Sequence, residues 1–181
     1  MPMPVYETER LLLRPFTEQD VHAFHRMTSD PEVIKYIGSG LDPDLPPDEV
    51  IELMHIAPLG DYEQHGYGRH AMVYKDTNEV IGFTGLKYLP EINQSDIGYR
   101  MFPEYWGKGL ASESCWPMLE FAFQELQLTE IIGLAMPENK ASCHVLVKIG
   151  MQFVDERELF DEWVSYFVMS REDYLSNTPD S

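Results

Sequence analysis

Basic residues are scarce in this chain of 181 residues: 13 Lys and Arg stand against 31 Asp and Glu, a formal charge of −18. Nucleic-acid binding needs a basic stripe along one face, and no segment supplies one. An anionic membrane surface would repel the chain on the same ground. Cysteine is nearly absent, and Cys115 and Cys143 make neither a disulfide framework nor a metal knuckle. His22 and His25 stand three apart with no acidic or Cys partner placed by the sequence, so no metal site is expected. No apolar run approaches the roughly 18 residues that span a bilayer. The opening Met1-Pro2-Met3-Pro4 lacks a basic segment followed by an apolar one, so no signal peptide is expected. These absences predict a cytoplasmic protein without nucleic-acid or membrane partners. The acidic excess suits a cationic or amine-bearing partner, and solubility alone also explains it.

What is present is core material, with 44% hydrophobic and 12% aromatic residues. A length near 180 favours one domain, here residues 1–176, with 177–181 expected as a disordered tail. Residues 5–15 read as a strand closed by Pro15, and Thr17 caps a helix with Val21, Phe24 and Met27 on one side. Asp30-Pro31 starts a short helical piece, and Pro46-Pro47 opens another that ends before Pro58. Two β-rich runs, 70–74 and 79–88, flank the turn Lys75–Asn78, and 94–102 is a further strand. A helix to about Leu126 shows Ala111, Cys115, Met118, Leu119 and Ala122 at spacings of three and four, with Pro117 expected to kink it near Glu113. The nearly all-apolar 129–135 reads as a doubly buried strand. Asn139 caps a helix ending at Gly150, and 152–160 with 162–170 form a last hairpin. The order predicts an α/β (α+β) fold: a mixed, mostly antiparallel sheet of about seven strands with helices on both faces.

The strongest chemical signal is strand, Gly107-Lys108-Gly109, helix. A helix start offers unpaired amides and a positive dipole end, which suit a pyrophosphate, and glycines allow close backbone approach. It is neither a P-loop nor the dinucleotide fingerprint. A plain turn into a buried helix explains these few residues equally well.

The longer stretch Ile97-Gly98-Tyr99-Arg100-Met101-Phe102-Pro103-Glu104-Tyr105-Trp106-Gly107-Lys108-Gly109-Leu110-Ala111-Ser112-Glu113 closely resembles the acetyl-coenzyme-A motif of the GCN5-related N-acetyltransferases (GNAT), in the branch of the ribosomal-protein N-terminal acetyltransferases, RimJ/RimL-type. Thr8–Pro15 is similar to that branch's first strand, Val80–Leu86 to its third, and Asn139–Ser142 with Leu146, Lys148 and Gly150-Met151 to its fourth helix. The resemblance runs from about residue 6 to 171. It implies a splayed strand pair, with Met101 and Phe102 pairing their backbone with the pantetheine arm. Amides from Gly107, Lys108, Gly109, Leu110, Ala111 and Ser112 would hold the pyrophosphate, with Trp106 at the turn. Asn139 and Ser142 would face the distal pantetheine and the sulfur. Lys108 reads either as a charge near the phosphates or as a solvated surface residue.

The same resemblance implies acetyl transfer from acetyl-CoA to a primary amine by direct ternary-complex transfer, without a metal. Many relatives use a helix tyrosine as acid, but Leu146 stands at that place, so Ser142 is the expected donor to the departing thiolate. Asp96 is the candidate base, working through a water, or else a plain edge-strand charge. The thioester oxygen would be polarised by the Met101 amide. A protein N-terminal α-amino group is the expected acceptor: its pKa of about 7.7–8.0 leaves roughly a tenth neutral at pH 7, whereas a lysine near 10.4 needs far more help. Small polycations, polyamine or aminoglycoside, and a CoA-binding module without turnover are the alternatives. Gly38–Pro47 and Tyr62–Arg69 are expected as acceptor loops. Cys143 and His70 read as structural, and Trp163, Tyr166 and Phe167 as core. Oligomeric state stays open, a homodimer among the arrangements.

Overall fold

The computed structural model describes residues 2–37 and 42–177. Strands β1 (Tyr6–Glu7), β2 (Leu11–Pro15), β3 (Arg69–Tyr74), β4 (Glu79–Leu89), β5 (Gln94–Met101), β6 (Glu130–Ala135), β7 (Gln152–Leu159) and β8 (Glu162–Ser170) form one sheet. Their order is β1-β2-β3-β4-β5-β6-β8-β7. Every neighbouring pair is antiparallel except β5 with β6. The sheet is therefore mixed and mostly antiparallel, as expected. It has eight strands rather than about seven, because 5–15 is a hairpin and not one strand. Thr8, Glu9 and Arg10 turn the chain, and the Thr8 amide closes on the Leu11 carbonyl at 2.9 Å.

Alternation along the strands divides the core in two. Leu11, Leu13, Met72, Leu86, Ile97 and Met101 face α5 (Leu110–Glu120), α6 (Lys140–Lys148) and α7 (Arg171–Asn177). Ala71, Val80, Phe83 and Phe102 face α1 (Val21–Ser29), α2 (Pro31–Ile34), α3 (Pro47–Ile56) and α4 (Leu59–His65). Thr17 stands at the expected cap position, and with Asp20 it forms a capping box ahead of α1. The α5 helix runs on through Pro117, and the irregularity falls a turn later: Phe121–Glu125 is a π turn, with the Leu126 amide bonded to the Phe121 carbonyl at 2.9 Å. Pro117 has no N–H to offer the Glu113 carbonyl.

Three expectations are corrected or fall short of the described residues. Tyr62–Arg69 is not a loop. Tyr62–His65 belongs to α4, framed by Pro58 and the left-handed Gly66 (φ 77°), and Arg69 opens β3. Trp163 is not core but 55% exposed on the outer hairpin, while Tyr166 and Phe167 are buried. Gly38–Leu41 of the first expected loop and 178–181 of the expected tail lie outside the described residues; Asn177 ends α7. Among the described residues no helix is long and apolar enough to cross a membrane.

Candidate active site

The β5–β6 pair opens into a wedge. Its parallel register is the single pair Asp96–Ile132, whereas β4 holds β5 as far as Gly82–Met101. The Phe102 amide bonds the Ile81 carbonyl at 2.9 Å, so alternation turns the N–H and C=O of Met101 toward the wedge. There the Met101 carbonyl accepts the Trp106 indole N–H at 2.8 Å. An extended chain carrying amides can pair with such a strand edge.

At the wide end, β5 leads through a 3-10 turn at Pro103–Tyr105 into the glycine turn. Gly107 (φ 71°) and Gly109 (φ 76°) both take the left-handed conformation that glycine adopts without strain. A Cβ on Gly107 would meet nothing within 4 Å, so the space above the turn is open. Leu110, Ala111 and Ser112 are buried, which anchors α5 and leaves the backbone of its first turn to face outward. This cradle fits a pyrophosphate. Lys108 is exposed and lies 5.5 Å over the Tyr105 ring. Arg10 is a residue that sequence reasoning passed over: its guanidinium comes within 3.6 Å of a Cβ placed on Gly109. Glu113 ties it there, accepting from Arg10 Nε at 2.8 Å and from Thr8 Oγ1 at 2.6 Å. Burial pushes the Glu113 carboxyl up, and the Thr8 and Arg10 donors outweigh it and hold it low.

At the narrow end, α6 brings its first turn against β5. The Asn139 carboxamide caps that turn, accepting the Ser142 amide at 3.2 Å and donating Nδ2 to Ser142 Oγ at 3.0 Å. Ser142 Oγ also lies 3.3 Å from the Tyr99 hydroxyl. With one lone pair taken by Asn139, the serine keeps its own proton to donate. Burial holds the Tyr99 phenol above its ordinary pKa, so it stays protonated. Tyr99 was legible as part of the motif but not as a site residue, because nothing in the spacing links it to α6. Leu146 is buried, and its Cδ2 would lie 2.8 Å from a Cβ on Gly133, so bare glycine lets α6 sit close on β6. Cys143 is half-buried with Sγ 3.9 Å from the Met136 carbonyl. Burial pushes the Cys115 thiol up to about 11.

On the opposite face of β5, toward α1–α4, Asp96 is buried and accepts Arg69 Nη2 at 2.6 Å. It stands on a central strand, not an edge. Burial pushes its carboxyl up, against the pull of Arg69 and of the Leu134 amide. The Arg69 guanidinium lies flat on Gly98, where a Cβ would be 2.9 Å from Nη2. His70, fully buried, bonds the Pro4 carbonyl at 2.9 Å and packs on Tyr6 and Phe121, a structural role. A separate cleft of about 340 Å³ between α1 and the β5 exit is lined by His22, Arg26, Phe102 and Tyr105, and Glu104 binds Arg26 at 2.7 Å.

A wedge between parallel strands, an open glycine turn at one end and a capped serine at the other are the parts of a coenzyme-A-dependent acyltransferase. The comparisons give the family. Residues 10–152 match the family described as Acetyltransferase (GNAT) domain, and the chain belongs to it. It is 33% identical over 150 residues to the uncharacterized N-acetyltransferase YoaA of Bacillus subtilis, covering 82% of this chain and 83% of that one. It is 25% identical over 152 residues to the spermidine N(1)-acetyltransferase of Escherichia coli K12, covering 83% and 76%. The crystal structure of the ribosomal-protein-S5-alanine acetyltransferase of Vibrio fischeri matches with a TM-score of 0.79 over 95% of this chain and 99% of that one. Its 17% identity shows the fold alone. The chain is an N-acetyltransferase that uses acetyl-CoA.

Proposed function

We propose that the acceptor is the α-amino group of a protein or peptide N-terminus, acetylated directly within a ternary complex. The carrying observation is that Asp96 stands on β5 at its one pairing with β6, on the face toward α1–α4, while Ser142 lies against Tyr99 three residues further along the same strand on the other face. Acetyl-CoA supplies the acyl group as a thioester. The Met101 backbone would pair with its pantetheine, whereas Phe102, expected beside it, has its amide bonded to Ile81 on β4. Gly107 through Ser112 would bind the pyrophosphate, and the Met101 amide would polarise the thioester oxygen. Asp96 would take the amine proton through a water as the new C–N bond forms. Ser142, held by Asn139 and beside Tyr99, would donate to the sulfur as the C–S bond breaks. The modest demand on the base fits an α-amine better than a lysine amine.

A second reading, transfer to a small polycation, rests on the charge of −18 and on the spermidine acetyltransferase among the relatives. The test is a panel of free-N-terminus peptides, N-blocked lysine peptides, spermidine and an aminoglycoside, incubated with acetyl-CoA and read by mass spectrometry. Acetyl confined to α-amines is expected. Acetyl on spermidine or the aminoglycoside alone would overturn the α-amine assignment.

A further inference from the structure

The face of β5 toward α1–α4 carries a positive charge that no carboxylate among the described residues pairs. Asp96, Gly98 and Arg100 point to this face, opposite Lys87, Gly85 and Phe83 on β4. The charges sort along it. Asp61 of α4 has Lys87, His65 and Arg69 around it. Asp96 holds Arg69, which also donates to the Gly85 carbonyl. Arg100 is left over. Among the described residues no carboxylate lies within salt-bridge distance of it. Its one hydrogen bond there is from Nη1 to the Met27 carbonyl at 3.1 Å. Its guanidinium otherwise lies 4.9 Å from the centroid of the Phe83 ring. A guanidinium has five N–H donors, so the described residues meet only a small part of its hydrogen-bonding capacity.

Such a placement costs stability. Burial first, and the like charge of Arg69 second, push Arg100 down to about 10, a value at which it is still a cation at neutral pH. The side chain is not sealed in, since Arg100 keeps partial solvent exposure. It follows Tyr99 directly in the chain, and the Tyr99 hydroxyl marks the sulfur end of the wedge on the other face. An acceptor amine entering from the α1–α4 side to reach the thioester would therefore bring its neighbouring atoms up to the guanidinium. Lys87, Arg69 and Arg100 outnumber Asp61 and Asp96 on this face, although the chain as a whole is strongly acidic.

We propose that Arg100 binds a carboxylate of the acceptor, so that the preferred substrate is an amine bearing a carboxylate a few bonds away. This deepens the α-amine reading and rests on it. A carboxylate would pair with the fork of N–H donors that the described residues leave unused. A polyamine would instead bring positive charge against Arg100 and Arg69.

The experiment compares peptides that begin with Asp and with Asn, identical in shape and differing in charge, together with free aspartate, its diamide and spermidine. Each is assayed with the wild-type protein, Arg100→Gln and Arg100→Lys. The Asp-initial peptide is expected to exceed the Asn-initial one by tenfold or more in kcat/KM. The ratio should fall to near one in Arg100→Gln and be partly kept in Arg100→Lys. Equal wild-type rates for the two peptides, or an undiminished ratio in Arg100→Gln, would overturn the proposal while leaving the α-amine reading intact. Acetylation of free aspartate over its diamide, dependent on Arg100 and with every peptide refused, would support the carboxylate site and sink the peptide reading. Spermidine taken and all carboxylated acceptors refused would overturn both. Should Arg100→Gln fail to fold, the wild-type ratio and Arg100→Lys still decide.

Discussion

Asp96 shows how one residue's place in the sheet changes what it can do. In the sequence it reads equally as a base or as an edge charge. The fold sets it on a central strand, buried, with Arg69 on one oxygen and burial raising its pKa against that pull. A carboxyl with a raised pKa accepts a proton more readily near neutral pH, which suits a base. The sign then follows: a rate that needs the carboxylate falls as pH drops through that raised value. Asp96→Asn is predicted to lose most activity below pH 8, where the α-amine is largely protonated, and to approach wild type above it. A kcat/KM profile from pH 6 to 9.5 measures this, and a loss constant with pH would refute the role. Neither the Arg69 partnership nor an Arg100 without a carboxylate among the described residues was legible beforehand. Both depend on which β3 and β4 residues come into register with β5, which no local spacing encodes.

At the scale of elements, most of the fold was readable because its signals are local. Thr17 with Asp20, Asn139, and Pro46-Pro47 mark helix starts by their own chemistry, and each stands where expected. The failures were also local in cause. The hairpin turn at Thr8–Arg10 lacks glycine and proline, and its polar groups are satisfied by Glu113, over a hundred residues away. The α4 helix is seven residues long and carries little apolar content, so periodicity gave it no voice. The glycine turn before α5 was legible as a cradle, and its conformation makes a prediction. Gly109→Ala forces an L side chain to φ 76°, which costs about 1–3 kcal/mol. Relief of that strain would move the first α5 amides, so the KM for acetyl-CoA should rise several-fold while the pH dependence of kcat stays as in the wild type. An unchanged KM, measured with a correctly folded variant, would show that the turn does not hold the cofactor.

Across the described molecule, two helical layers cover one sheet whose β5 and β6 share a single register pair, and the proposed chemistry lies where they part. The motif on β5 and α5 and the helix that begins at Asn139 are separate in sequence, and the parallel β5–β6 register is what brings them together. The overall charge of −18 is a property of the surface, whereas the field beside β5 is set by Arg69, Asp96 and Arg100. The substrate is thus to be sought from the local charges rather than the total. The claim on which the rest depends is that Ser142 stands at the departing sulfur and contributes to transfer, not to binding. The most direct measurement is acetyl-CoA affinity by calorimetry alongside steady-state turnover for Ser142→Ala. The prediction is a roughly ten- to hundredfold fall in kcat, the worth of about one hydrogen bond to a charged group, with the Kd for acetyl-CoA within threefold of wild type. Turnover and binding both unchanged would contradict it.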